Sequence, residues 1–422
     1  MLHVKNKSWY AESVPFEQLA ETYGTPLYVY SAGQITANYQ AYDAALRQTG
    51  LRTHIHFAVK TNYNLAVLRH LKNLGAGADL VSGGEMKRAL AAGISANNII
   101  FSGVAKTDDE LRMSLAEGIC QINLESAEEL ERLIAIARGM NKKIDCAVRI
   151  NPDVDAKTHA KVSTGKSDNK FGVDLNTAAQ MFERAATAPE INLRCIASHI
   201  GSQLLDIAPY DDAFMVMAEF ARELQAKGHA IDRMDIGGGV GVPYAPGDVA
   251  TDLNMYAGFI KKYFGGFQGE IYTEPGRYLV ANAGALLTRV IFIKRTAHKI
   301  FVVVDAAMND LMRPALYDSY HPIFPAHENV GETMICDIVG GICETTDIFA
   351  SNRTLPASLK AGDLMVIGVA GAYGATMAGT FNARDQIAEV FVSGNQHQLV
   401  RDRWTIEQQM ALEHIPDFLQ KA

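Results

Sequence analysis

Residues Thr53–Asn62 read THIHFAVKTN. The β-branched and aromatic residues at its start are those of a strand, and that strand ends on Lys60 before Thr61 and Asn62 turn the chain. A lysine closing an apolar strand has two explanations. At a solvated edge it is the usual surface lysine. Held out of water, its amine gives up its proton more readily and attacks a carbonyl. The neighbouring stretches decide between them.

From residue 54 to about 280 the pattern alternates. Strand patterns start at His54, Gly77, Asn98, Gln121, Asp145, Arg194, Met234 and Glu270. Helical patterns lie between them, such as NLAVLRHLKNLG ending on Gly75, and SAEELERLIAIARG, with Ser126 as N-cap and Glu129 at the capping-box position. Eight strands separated by helices point to a (β/α)8 TIM-like barrel. A doubly wound sheet is the alternative, but no nucleotide fingerprint follows the first strand. In such a barrel the C-terminal strand ends form the mouth of the active site. Lys60 is at one of them, and Asp79, Ser102, Asn123, Arg149, His199, Gly237–Gly239 and Glu274 are at the others.

After about residue 284 the long helices stop. ALLTRVIFIKRT, KIFVVVDA, GDLMVIGVAG and AEVFVSG read as strands, followed by a last strand and a closing helix in HQLVRDRWTIEQQMALEHI. PLYVY, Pro26 to Tyr30, is a stray strand suited to the same sheet. The expected organisation is a barrel over 31–283 and a mostly β domain made of 1–30 with 284–422.

The totals agree. A chain of 422 residues, 48% of them hydrophobic, is long enough for two domains. The net charge of −8 comes without a basic tract, which excludes a nucleic-acid groove. Five cysteines, an odd number without a CxxC pair, fit neither a disulfide framework nor a metal site and point to a reducing compartment. The N-terminal stretch has no apolar h-region, and no apolar run reaches membrane-spanning length. A cytoplasmic protein is expected.

At the mouth, MDIGGGVG puts three glycines after the seventh strand, where backbone N–H groups can approach a phosphate. YTEPGR puts Glu274 and Arg277 after the eighth. A buried Glu274 needs a proton or a cation, and a protonated pyridine nitrogen is such a cation. Arg277 suits a carboxylate or a phosphate. His199 offers a flat ring, and Ser202 a hydroxyl for a phosphate oxygen. An amine, a ring partner, a glycine cradle and a carboxylate together describe a pyridoxal phosphate site, with Lys60 as its Schiff-base lysine. Taken singly, each has a plain structural explanation: a surface salt bridge, a tight turn or a core histidine.

FAVKTN, GADLVSGGE, HIGSQ, DIGGGVG, EPGRYLVANAGALLTRV, DAAMNDLMRPALY, ICETTD and AGAYG together resemble the barrel-type (fold type III) pyridoxal-phosphate decarboxylases over nearly the whole chain. Within them the diaminopimelate decarboxylase branch is the most similar. EPGRYLVANAG and MNDLMRPALY distinguish it from the ornithine and arginine decarboxylases. The resemblance implies decarboxylation of meso-2,6-diaminopimelate to L-lysine and CO2, the last step of lysine biosynthesis. It implies Lys60 and Cys343 as catalytic residues, with Cys343 the proton donor. His199, Ser202, Gly238, Gly239, Glu274, Gly276, Arg277 and Tyr373 would hold pyridoxal 5'-phosphate. Arg277, Arg313, Tyr317, Glu344 and Tyr373 would hold the substrate. It further implies a homodimer in which the loop of Cys343 and Glu344 reaches the partner's site. From the residues alone, Cys343 reads as a buried inert thiol.

Three stretches depart from the family pattern: DAAMND for DAGMND, GGICET for GPICES, and FNARDQIAEV for YNSRPRPAEV. Other activities remain open on the sequence. A decarboxylase of another amino acid would want a distal pocket without Arg313. A racemase of similar architecture would need a base on each ring face. A non-catalytic paralogue would lack Lys60 or Cys343. The loop from 153 to 171 is long enough to close over a substrate.

Overall fold

Eight parallel strands close on themselves in a computed structural model that describes residues 2–154, 170–328 and 331–420. The barrel strands are Arg52–Ala58, Gly77–Leu80, Ile99–Phe101, Gln121–Leu124, Ile144–Arg149, Ile191–Ala197, Arg233–Asp235 and Glu270–Thr273. Closure comes from the last pairing with the first, Glu270 opposite Arg52 and Thr273 opposite Ile55. This is the barrel that the alternation predicts. Most of the loop expected over 153–171 lies outside the described residues.

The chain forms two compact units, one of Ile35–Val280 and one of Met1–Gln34 with Ala281–Ala422. In the barrel unit, helices form where apolar residues recur on one face, and most of them are capped at their start by a side chain. Leu65–Leu74 buries Val67, Leu68 and Leu71; the Asn64 side chain caps its start and left-handed Gly75 its end. Asp108–Glu117 opens on a complete capping box between Thr107 and Glu110. Ser126 caps Ala127–Met140 as expected, but the reciprocal bond differs. Glu129 accepts from the backbone N–H of Glu125 (2.8 Å) and from the buried Lys106 ammonium (2.8 Å), so an interior ion pair draws it off the N-cap.

The second unit is mostly sheet. A nine-stranded sheet contains Leu27–Ser31, Gly284–Arg295, Ile300–Val304, Thr333–Val339, Ile348–Pro356, Ala388–Ser393 and Gln396–Arg401, with Leu364–Ile367 and Ile323–Pro325 branching from it. The early segment enters as an interior strand, antiparallel to Gly284–Arg295 and parallel to Ala388–Ser393. Leu2–Lys5, Ser8–Ala11 and Val14–Pro15 form a small meander of their own. The unit's core gathers Phe16, Leu19, Leu27, Val29, Leu287, Val366 and Val390.

Leu287 is fully buried there. Leu287→Ala is expected to lower the unfolding free energy by about 2–5 kcal/mol in a urea titration, because the cavity cannot fully collapse. A loss below about 1 kcal/mol would mean that the sheet closes over the gap.

Candidate active site

Lys60 does not lie in the first strand. The strand ends at Ala58, and Lys60 sits in a single 3-10 turn, Val59–Thr61. The turn is pinned by Asn62 N–H to the Val59 carbonyl (3.0 Å) and by the Thr61 hydroxyl to the Ala58 carbonyl (2.8 Å). Gly276 packs directly against it: a Cβ there would collide with the Thr61 side chain and press on that of Ala58.

Three acidic side chains are buried at the same end of the barrel: Asp79, Asp235 and Glu274. Asn123 connects two of them, donating to Asp235 Oδ2 (3.0 Å), with Glu274 Oε1 at 3.5 Å and the Ser102 hydroxyl at 3.1 Å. Ser102 Oγ is itself 3.4 Å from Glu274 Oε1. Loss of hydration holds the Glu274 carboxyl well above the usual range, and Asp235 and Asp79 push it further, against Lys60. Burial raises Asp235 as well. Two buried carboxyls this close cannot both ionise without a cation beside them, so the pair holds a proton more tightly than either would in water. Neither buried oxygen of Asp79 has a hydrogen-bond partner among the described residues, and the nearest cation is the Lys60 ammonium at 3.6 Å.

The glycine turn lies beside this cluster. A Cβ on Gly238 would strike the Glu274 carbonyl oxygen, and one on Gly237 or Gly239 the carbonyl of Ser198 or Gly201. Gly237 and Gly239 also have φ of +67° and +105°, where glycine is strongly favoured. Gly238 N–H donates to His199 Nδ1 (3.2 Å), and the Tyr210 hydroxyl donates to the Gly238 carbonyl (2.8 Å). Loss of hydration, with Lys60 and Arg149 nearby, keeps the His199 pKa well below its ordinary value, so its ring is neutral. Arg277 donates from Nη2 to Ser202 Oγ (3.1 Å) and from Nη1 to the Tyr244 hydroxyl (2.9 Å). The barrel unit thus brings Lys60, His199, Ser202, Gly238, Gly239, Glu274, Gly276 and Arg277 to its C-terminal end.

The remaining expected site residues are in the β-rich unit. Arg313 and Tyr317 begin and end one short helix, Arg313–Tyr317; Arg313 is buried and Tyr317 half-buried. Cys343 and Glu344 are exposed on a loop folded around one carboxylate. Asp347 accepts the backbone N–H groups of Ile342 (2.6 Å) and Met308 (2.7 Å), and a Cβ on Gly340 would run into it. The Cys343 N–H donates to Asn382 Oδ1 (2.9 Å), and Gly341 faces the Arg384 guanidinium. Two stretches that depart from the family pattern therefore touch each other, and the residues that make the contact, Asn382 and Arg384, are those the pattern also has. Tyr373 has φ of +55° and Val369 +53°, a conformation costly for a β-branched residue.

Residues 32–281 match the family model of the pyridoxal-dependent decarboxylases, pyridoxal binding domain. A diaminopimelate decarboxylase of Zymomonas mobilis is 46% identical over 418 residues, 99% of each chain. The chain belongs to the diaminopimelate decarboxylase family. Among solved members, the enzyme of M. jannaschii in complex with L-lysine superposes with a TM-score of 0.95 at 36% identity, covering 99% of each chain. That of Helicobacter pylori with L-lysine gives 0.90 at 38%, covering 94% of this chain and 98% of that one. The residues present fit the family's cofactor. The glycine turn packs its backbone directly against its neighbours, where no side chain would fit, and burial holds the Glu274 carboxyl well above its ordinary range, as suits a partner for a pyridine nitrogen.

Six residues that complete this geometry were not among the expected site residues. Asp79, Ser102 and Asn123 stood only as polar strand ends. Asp235 is an acid inside an apolar strand, a signal that its strand pattern masked. Tyr244 lies in a Pro- and Gly-containing loop without periodicity. Glu85 reads as an ordinary helix residue of GEMKRAL, yet its carboxylate accepts the Val81 N–H (2.8 Å) close to Asp79 and Lys60.

Burial, with Asp79 adding to it, raises Glu85 to about 7. A carboxyl whose folded pKa is raised contributes stability below its unfolded value, and that contribution is lost as pH rises through the folded one. The cofactor-free protein should therefore lose stability relative to Glu85→Gln, which keeps the acceptor for Val81, between about pH 4.5 and 7. The expected difference is roughly 1–2 kcal/mol in urea titrations across that range. Parallel curves would contradict the shift.

Proposed function

We propose that the protein decarboxylates meso-2,6-diaminopimelate to L-lysine and CO2 with pyridoxal 5'-phosphate. The observation that carries this is the buried Glu274, its carboxyl pushed well above its ordinary range by burial, at a glycine turn beside Lys60, in a chain of this family. When bound, pyridoxal phosphate supplies a sink for the electron pair that the departing carboxylate leaves behind. Lys60 supplies the amine that anchors its carbonyl carbon. Gly238, Gly239, Ser202 and Arg277 would hold its phosphate, with Tyr373, and Gly276 keeps the Lys60 turn close. His199, neutral and flat, suits its ring face. Glu274 would face the ring nitrogen as the carboxylate that balances the protonated pyridine, so a charge costly to bury alone would become half of an ion pair.

The β-rich unit completes the chemistry. The Cys343 thiol gives a proton to the α-carbon after CO2 leaves, and the exposure of its loop supports reach beyond its own unit. Glu344 takes the distal ammonium of the substrate. Arg313 and Tyr317 bind at the same distal end, and Arg277 and Tyr373 also contact substrate. A second carboxylate on the substrate needs a guanidinium, which favours diaminopimelate over a plain diamine precursor. Cys343 and Glu344 serve the neighbouring copy, so the enzyme is a homodimer with shared sites. It works in the cytoplasm, a reading supported by five free cysteines. Among the described residues no helix is long and apolar enough to cross a membrane.

The direct test supplies pyridoxal phosphate and meso-diaminopimelate and follows L-lysine by chiral chromatography. Lysine is expected; cofactor uptake without lysine would refute the substrate. Cys343→Ala should cut kcat by at least about a hundredfold with the cofactor still bound. Mixing Lys60→Ala and Cys343→Ala proteins should restore part of the activity if sites are shared. Failure to complement would overturn the shared dimer.

A further inference from the structure

Arg313 is almost wholly buried, and a buried guanidinium is aimed by what accepts its hydrogen bonds. Its Nη1 lies 2.8 Å from Nε2 of His321, a histidine without any accessible surface. The other ring nitrogen, Nδ1, lies 2.9 Å from the Gly368 carbonyl oxygen. The two contacts fix the tautomer. A carbonyl only accepts, so Nδ1 carries the proton. A guanidinium only donates, so Nε2 presents a lone pair. The ring is held as a neutral relay between backbone and guanidinium.

The sheet sets this relay. Ile323–Pro325 pairs antiparallel with Leu364–Ile367, with Ile323 opposite Ile367, which brings Pro322 opposite Gly368 and His321 one residue beyond, within reach of the Gly368 carbonyl. Gly368 N–H closes the junction on the Pro322 carbonyl (2.8 Å). From the other side, Arg353 donates to the His321 carbonyl (3.2 Å) and lies over the Tyr320 ring at 3.5 Å. His321 is therefore fixed in both backbone and ring.

We infer that His321 is a positioning residue, which aims the Arg313 guanidinium at the distal carboxylate of the substrate by offering it a fixed acceptor. This rests on the assignment of Arg313 to the substrate. His321 does not touch substrate; it acts through Arg313, so its loss should appear in KM for diaminopimelate more than in kcat.

Two substitutions separate the ring's two bonds. His321→Asn keeps a donor for the Gly368 carbonyl and removes the acceptor facing Arg313. His321→Gln places an amide oxygen near the Nε2 position. His321→Asn should raise KM about tenfold or more, with kcat within about threefold of the native enzyme and cofactor absorbance unchanged. His321→Gln should recover most of the native KM. In the Arg313→Ala background, adding His321→Asn should raise KM no further, since the two act as one unit. Multiplying effects, or a native KM for His321→Asn beside a raised KM for Arg313→Ala, would overturn the inference and leave the Arg313 assignment standing. A native KM for Arg313→Ala would overturn that assignment and the inference with it. Should His321→Asn fail to fold, a raised KM in His321→Gln, with native cofactor absorbance, would equally overturn it.

Discussion

Three carboxyl groups at one end of a closed barrel, shielded from water, set the terms for everything around them. Asp79, Asp235 and Glu274 cannot all be ionised there without a counter-charge. The protein answers with one lysine ammonium near Asp79, one asparagine amide bridging Asp235 and Glu274, and carboxyls at Asp235 and Glu274 that burial makes reluctant to ionise. Such a site is incomplete by design. It favours a ligand that brings a basic ring nitrogen to Glu274 and a carbonyl to Lys60, and a pyridine aldehyde has both. The glycine turn beside this site follows from backbone sterics, because the turn at Gly238 passes against the carbonyl of Glu274 itself. Turn and carboxyl are built from touching backbone, so neither can shift without the other.

The barrel was legible because its strands are short, largely apolar runs with polar residues at or just past their ends, separated by helices. The mouth was legible for the same reason, since strand ends are where the polar residues stop the apolar runs. The position of Lys60 was less so. A run of apolar residues does not show where the ladder gives way to a 3-10 turn, and Val59 is as buried as the strand before it. Thr333–Val339 and Ile348–Pro356 escaped notice because polar residues interrupt their periodicity. Asp337 sits within the first as a buried partner of Lys299 (2.7 Å), and Asn352 within the second takes a φ of +53°. Both interruptions are settled by tertiary contacts that the local sequence does not contain.

The β-rich unit shows what residue patterns convey least. Nothing in the spacing of ICETTD says that Asp347 folds the loop by accepting two backbone N–H groups, or that Asn382 holds the Cys343 backbone from a segment far along the chain. The departures from the family pattern become intelligible at this level. Gly341 stands where the pattern has proline and faces Arg384, which donates to the Asp305 carbonyl (2.5 Å). Loop stiffness lost with the proline is offset by a contact that stays. Ala307, in place of glycine, is fully buried, and its N–H donates to Asp310 (2.9 Å).

The central claim is that Lys60 is the covalent anchor in a site whose charge balance requires a pyridine nitrogen at Glu274. The most direct measurement is to load the protein with pyridoxal phosphate, reduce it with borohydride, digest it and locate the modified lysine by mass spectrometry. The account predicts a phosphopyridoxyl group on Lys60 alone. The same label on another lysine, with Lys60 unmodified, would contradict it.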